Sequence, residues 1–205
     1  MVRAVAAARV ARHRCGVAMT EVDVRQRIIL AVLEIIGDGG VAAVTNRRIA
    51  SRAGVSLGSV TYHFISQHEL LRESLRYFVA EETRRFADLA EQHWYDNLSL
   101  EQASALVGQV ASSTGFDSEH IAPFELYIQA GRDPRLRAAA AECFAAYDRL
   151  AARILTGLGV PDAQRAASAT VALAVGLQLR RLATGSTTDQ LVDALLLLIR
   201  GSAPR

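Results

Sequence analysis

Apolar residues recur along this chain at intervals of three and four, and nowhere alternate over the length of a strand, so the pattern predicts an all-α protein. Val24, Ile28, Ala31, Val32 and Ile35 form the stripe of a first helix expected from Thr20, a capping hydroxyl with Asp23 three residues on, to the breaker Gly37-Asp38-Gly39-Gly40. A second helix is expected from Thr45 as N-cap, with Val44 stapled to Ile49, and ends at Gly54. After the link Val55-Ser56 a short third helix runs from about Leu57 to Phe64. Ser66 with Glu69 reads as a capping box and Ile65 with Leu70 as its staple, opening a helix over 67–93 long enough to link two domains. Ser99 with Gln102, Pro123 near a first turn, Asp133-Pro134, Pro161, and Thr187 with Gln190 mark five more starts, making nine helices.

This division suggests a basic and mobile N-terminal arm over 1–19, a helix-turn-helix unit over 20–66 and a helical domain over 67–205. Met19 is a second possible start, and the composition of the arm also fits a transit peptide. The formal charge of +2 hides an asymmetry: residues 1–63 hold nine arginines against four acids, and the remainder fourteen against seventeen. Only the first third is therefore attractive to polyanions.

Residues 45–64 supply the chemistry that a duplex requires. Ile49, Ala50 and Ala53 face inward, the two alanines letting another helix approach closely. Gly54 takes the left-handed turn, and Val55 and Val60 anchor the third helix. Arg47 and Arg48 and the short polar side chains Ser56, Ser59 and Thr61, with Leu57, Tyr62 and His63, are left for the outer face. Hydrogen-bonding side chains read base edges, and donors, amides and positive charge hold phosphates; the hypothesis is that Arg47 contacts a base and that Tyr62 and His63 contact phosphates. Arg48 is either a contact or a solvated charge. Gly58 removes a side chain where backbone can approach phosphate.

The run Ile49-Ala50-x-x-Ala53-Gly54-Val55-Ser56-x-Gly58-x-Val60-x-Tyr62-His63-Phe64, followed by Leu70-Leu71, resembles the DNA-binding domain of the TetR family of regulators. The likeness covers about residues 21–71, and the nine-helix layout is similar to that family across the chain. It implies a three-helix reading head, a divergent ligand-binding domain and a homodimer that releases its operator when an inducer binds. By position it places DNA contacts on Thr45, Arg47, Ser56, Leu57, Gly58, Ser59, Thr61, Tyr62 and His63. Two positions depart from the family pattern: Thr61 stands where an aromatic residue is usual, and Gln67 where a phosphate-binding lysine is common. Gln67 donates without charge, leaving His68 or the amides of the helix start to hold a phosphate.

In the second domain Phe86, Leu89, Leu106, Phe116, Phe124, Tyr127, Phe144 and Tyr147 either line a pocket or fill a core. The resemblance favours the pocket, with a small apolar or amphipathic effector in it. Residues 166–182 are apolar on most faces and 191–199 nearly all round, so these two helices need cover on every side. A four-helix contact between two copies through Val171, Val175, Leu179, Leu191, Leu195 and Leu198 supplies it, and a monomer core is the alternative. Two-fold symmetry then asks for a palindromic operator.

Other classes find little support. No apolar stretch approaches the ~20 residues of a membrane span. A Gly-rich phosphate loop, HExxH, GxSxG and metal-spaced histidines are all missing from the sequence, so neither an enzyme, a metal nor a cofactor is expected. Cys15 and Cys143 fit no metal or disulfide spacing and suit a reducing cytoplasm; a redox switch is the weaker reading. The expected role is a DNA-binding regulator, most simply a repressor, with a ligand-independent or partner-controlled protein of the same fold as the alternative.

Overall fold

The computed structural model describes residues 21–92, 118–185 and 193–194. Among these residues the secondary structure is entirely helical. Seven α-helices follow one another: α1 (Glu21–Gly39), α2 (Asn46–Ala53), α3 (Leu57–His63), α4 (Gln67–Gln92), α5 (Ser118–Ala130), α6 (Pro134–Gly157) and α7 (Ala163–Thr184), with a single 3-10 turn, Val41–Ala43, between α1 and α2. The expected helix starts at Ser99 and Thr187, and with them the count of nine, lie outside the described residues.

The sequence assigns α1 one apolar stripe, but the helix is buried on more than one side. Ile28, Ile29, Ala31, Val32, Leu33, Ile35 and Ile36 are all 3% exposed or less. The row Ile29, Leu33, Ile36 lies beside the expected row Ile28, Val32, Ile35, and both are covered because α1 packs against α5 as well as α2 and α4. The resulting core runs without a break from Ile28 through Ile49, Val60, Leu71 and Leu75 to Leu126, Leu136 and Cys143. A separate small cluster, Leu155, Val160 and Ala163, closes the turn between α6 and α7.

Local capping explains most boundaries. The Asp133 carboxylate accepts from the Arg135 amide at 2.9 Å and starts α6, with Pro134 at a position that needs no donor. The Ser66 hydroxyl accepts from the Glu69 amide at 3.2 Å, as the capping box requires, but the Glu69 carboxylate returns to the amide of Ile65 at 3.0 Å instead of to that of Ser66. The expected staple between Ile65 and Leu70 is not formed: Ile65 is 89% exposed while Leu70 is buried. Leu70 is recruited by the shared core, and the bend after Phe64 turns Ile65 to solvent. Pro123 also differs from expectation, since it lies inside α5, five residues past its start, and is buried there. Its ring removes one donor from the helix, and tertiary packing overrides that loss.

Charged groups tie α1 to α4. Glu73 accepts from Arg25 at 3.0 Å and from Arg72 and Arg76 at 3.2 Å each. Burial opposes its ionisation, but the three guanidinium hydrogen bonds prevail and hold the carboxyl below its ordinary value of 4.5. The native state therefore takes up this proton at lower pH than the unfolded chain does. The stabilisation is complete above pH 4.5 and disappears as pH falls through the lower native value. In urea denaturation at about pH 7 the wild type should exceed Glu73→Gln in stability, and the two should converge as pH falls below 4.5; a gap that persists in strong acid contradicts this assignment.

Candidate nucleic-acid interface

Helices α2 and α3 are short, and their ends are closed by residues of the chain itself. The Thr45 hydroxyl accepts from the Arg48 amide at 3.3 Å and caps α2. Val44 and Ile49 are both buried beside it, as a staple requires. At the other end Gly54 adopts φ 63 and ψ 41, a left-handed conformation that costs glycine nothing. The Ser56 hydroxyl accepts from the Ser59 amide at 3.0 Å and starts α3, and the two serine hydroxyls are 2.8 Å apart. Val60 is buried and Val55 half-buried against the core, fixing which side of α3 faces in.

Most of the residues expected to meet DNA are left in solvent. Thr45, Arg47, Arg48, Ser56, Leu57, Gly58, Thr61 and Tyr62 are exposed, and Ser59 and His63 half-buried. Tyr62 is 73% exposed, a large ring to leave in water, and meets the His63 ring edge-on at 5.1 Å. The Thr61 hydroxyl bonds back to the Gly58 carbonyl at 3.1 Å, which commits its proton within the helix. A Cβ on Gly58 would meet only the Ser56 hydroxyl, at 3.7 Å, an ordinary contact.

Electrostatics narrow this surface further. Of the head's five described arginines, Arg25 pairs with Glu73, and Arg52 with Glu34 at 3.0 Å and Asp38 at 3.1 Å. Arg27 spans from α1 to the carbonyls of Ala53 and Gly54, the latter at 3.1 Å. Arg48 reaches the Ala43 carbonyl at 3.3 Å. Arg47 alone forms no hydrogen bond or ion pair among the described residues. Among the five described arginines of the head, two are thus ion-paired and two bonded to backbone carbonyls, and Arg47, in the first turn of α2, is left outward. The arginines of 1–19 lie outside the described residues.

Gln67 and His68 are engaged elsewhere. The Gln67 amide donates to the Val44 carbonyl at 3.3 Å, tying the start of α4 to that of α2. His68 Nδ1 lies 2.5 Å from the Asp133 carboxylate that caps α6. Burial raises the Asp133 pKa, but its bonds to the Arg135 amide and His68 outweigh that and hold it below the ordinary aspartate range. Neither Arg25 nor Arg27 was marked by the local pattern, since each acts on partners far along the chain.

In the second part Tyr127, Phe144 and Tyr147 come together on α5 and α6, with ring centroids 4.9 Å apart for Tyr127–Phe144 and 6.5 Å for Phe144–Tyr147. The Tyr147 hydroxyl donates to Glu82 of α4. The Tyr127 hydroxyl is buried beside that of Tyr147, and burial pushes its pKa far up. Phe86, under the Arg85 guanidinium at 5.1 Å, and Phe124 are half-buried outside this trio. Leu106 and Phe116, and the side chain of Leu89, lie outside the described residues. Val171 is buried within its own chain, Val175 half-buried and Leu179 51% exposed, while Leu191, Leu195 and Leu198 are again outside. Burial raises the Cys143 thiol to about 11, leaving little thiolate at neutral pH and weakening its case as a redox sensor. Among the described residues no cluster of His, Cys, Asp and Glu suits a metal, and no helix is long and apolar enough to cross a membrane.

Comparison with known proteins bears on both parts. Residues 28–74 match the family model described as bacterial regulatory proteins, tetR family, and residues 99–202 match that described as tetracyclin repressor-like, C-terminal domain. The HTH-type transcriptional regulator BetI 1 of Chromohalobacter salexigens is 44% identical over 52 residues, which is 25% of this chain and 26% of that protein. The chain thus matches only about a quarter of that curated relative's length. Among solved structures, the transcriptional regulator SCO7518 of Streptomyces coelicolor A3(2) is 27% identical with a TM-score of 0.68, covering 86% of this chain and 98% of that one. The multidrug binding protein EbrR complexed with ethidium is 30% identical with a TM-score of 0.65, covering 86% and 98%.

The turn itself can be tested. In Gly54→Ala a β-carbon enters the left-handed region, at a cost of about 1–2 kcal/mol, and would lie 3.0 Å from the Arg27 guanidinium. A lowered midpoint in thermal denaturation is expected, and an unchanged one means that the turn relaxes freely.

Proposed function

Because the chain belongs to the TetR family of bacterial regulatory proteins, through models that match both its N-terminal and its C-terminal parts, we propose that it is a transcriptional repressor. It binds a palindromic operator as a homodimer and is released by a small apolar or amphipathic effector. Residues 20–66 act as the reading head and 67–205 as the effector and dimer domain, with nine helices in all and the basic arm 1–19 outside both. The protein works in the cytoplasm and performs no catalysis.

The observation that carries this reading is the outer surface of α2 and α3. It gathers Thr45, Arg47, Arg48, Ser56, Leu57, Gly58, Ser59, Thr61, Tyr62 and His63 on a short helix pair whose inner side is buried. Arg47, without an internal partner among the described residues, is the base-reading side chain, and Tyr62 and His63 hold phosphates. Gly58 supports the same reading, because the protein's own packing leaves room there for a β-carbon; the demand for glycine comes from the backbone of the duplex. Gln67, already bonded to Val44, supports the start of α4 against a phosphate through its second amide hydrogen.

For the effector domain the support is chemical. Tyr127, Phe144 and Tyr147 offer stacking area, and the Tyr127 hydroxyl is a buried polar group among the rings. EbrR, a structural relative, holds ethidium. We place Phe86, Leu89, Leu106, Phe116 and Phe124 around the same effector, and the dimer contact on Val175, Leu179, Leu191, Leu195 and Leu198, with Val171 beneath it.

The decisive experiment is selection of bound sequences from a random duplex pool by the full chain at moderate salt. A two-fold symmetric motif is expected, and no enrichment would remove the proposal. On the selected duplex, Arg47→Ala should lose about 1–3 kcal/mol of binding and relax the preference at one base pair. Gly58→Ala separates folding from contact: thermal stability should hold or rise, as alanine is the better helix former by about 1 kcal/mol, while affinity falls.

A further inference from the structure

Both flanks of α3 are held by arginines of α1. Arg27 leaves the middle of α1 and donates through one terminal nitrogen to the carbonyls of Ala53 and Gly54, the second at 3.1 Å. These are the last carbonyls of α2 and of the turn, groups without intrahelical partners at the negative end of a helix dipole. A guanidinium there satisfies both and matches the dipole. Two residues further along the chain, the Ser56 hydroxyl caps α3. On the far side Arg25 stacks over the ring of Phe64, 5.0 Å from its centroid, at the last turn of α3. Gly54 is the complement to Arg27: a β-carbon there would lie 3.0 Å from the same nitrogen. The guanidinium and the bare turn thus fit each other.

We infer that Arg27, a half-buried arginine on a helix that offers nothing to DNA at that point, is a positioning residue for sequence discrimination, setting the angle of α3 through the Ala53 and Gly54 carbonyls. It touches no base and contributes no charge to a phosphate. This inference rests on the reading of α2 and α3 as a groove-binding pair. Loss of Arg27 leaves a folded, DNA-binding protein whose helix pair is less firmly held, so it binds many sequences about equally well. Base contacts depend on α3 geometry to within a fraction of an ångström, whereas phosphate attraction does not.

The test uses the full chain with two duplexes of equal length, one carrying the motif enriched by the wild type and one scrambled, with affinities measured across a salt series. Arg27→Met should lower the ratio of specific to scrambled affinity at least tenfold, with scrambled binding and the slope of log affinity against log salt unchanged. A ratio equal to that of the wild type in a variant with native circular dichroism overturns the inference. So does a slope reduced by about one, with both affinities falling together, because that marks a phosphate contact. If Arg27→Met fails to fold, Arg27→Gln, which keeps a donor for one carbonyl, carries the test: an intermediate ratio supports the inference and the wild-type ratio overturns it. Failure of the wild type to enrich any motif sinks the groove-binding reading itself, a result distinct from either outcome for Arg27.

Discussion

The burial of α1 on several sides is the constraint on which everything else depends. A three-helix head of some forty residues has too little interior to hold itself firmly. Here its first helix is covered by α2 and α4 and also by α5, so the head borrows part of its core from the rest of the chain. Ile28, Val32 and Ile35 would serve a free-standing head; Ile29, Leu33 and Ile36 complete a helix embedded in a larger body. The helix pair α2 and α3 rests on a core that it shares with the rest of the described chain.

On that support, polar groups do the local placing. Thr45 and Ser56 cap the two short helices, Gly54 bends between them, and Arg27 and Arg25 reach from α1 to the turn and to the last turn of α3. Helices of eight and seven residues are far too short to persist alone, so each end is secured separately. The same economy decides which charges face outward. Arg25, Arg27 and Arg52 are occupied by Glu73, by backbone carbonyls, and by Glu34 with Asp38.

Local chemistry was legible in the sequence wherever cause and effect lie within a turn or two. Thr45, Gly54, Ser66 and Asp133 mark their helix ends by residue type and spacing alone, and the outward face of α3 follows from Val60 pointing in. Long-range partners were not legible. Arg27 is 26 positions from the carbonyl it meets and Arg25 is 48 from Glu73; nothing in either neighbourhood distinguishes them from solvated arginines. The failed pairing of Ile65 with Leu70 has the same origin, since a nearby apolar pair suggests a contact that the distant core outcompetes. A net excess of arginine does not say which guanidiniums are engaged, and among the described residues of the head Arg25 and Arg52 are ion-paired.

The seam between α1 and α5 limits how such a protein can diversify. At Gly40, with φ 73, the backbone passes close to Glu125 of α5: a β-carbon there would sit 3.6 Å from the carboxylate. A head taken from one lineage cannot simply be joined to the effector half of another, because Ile29, Leu33 and Ile36 would face an unfamiliar helix. Substitutions within α2 and α3, which do not form this seam, are therefore more accessible than exchange of whole halves.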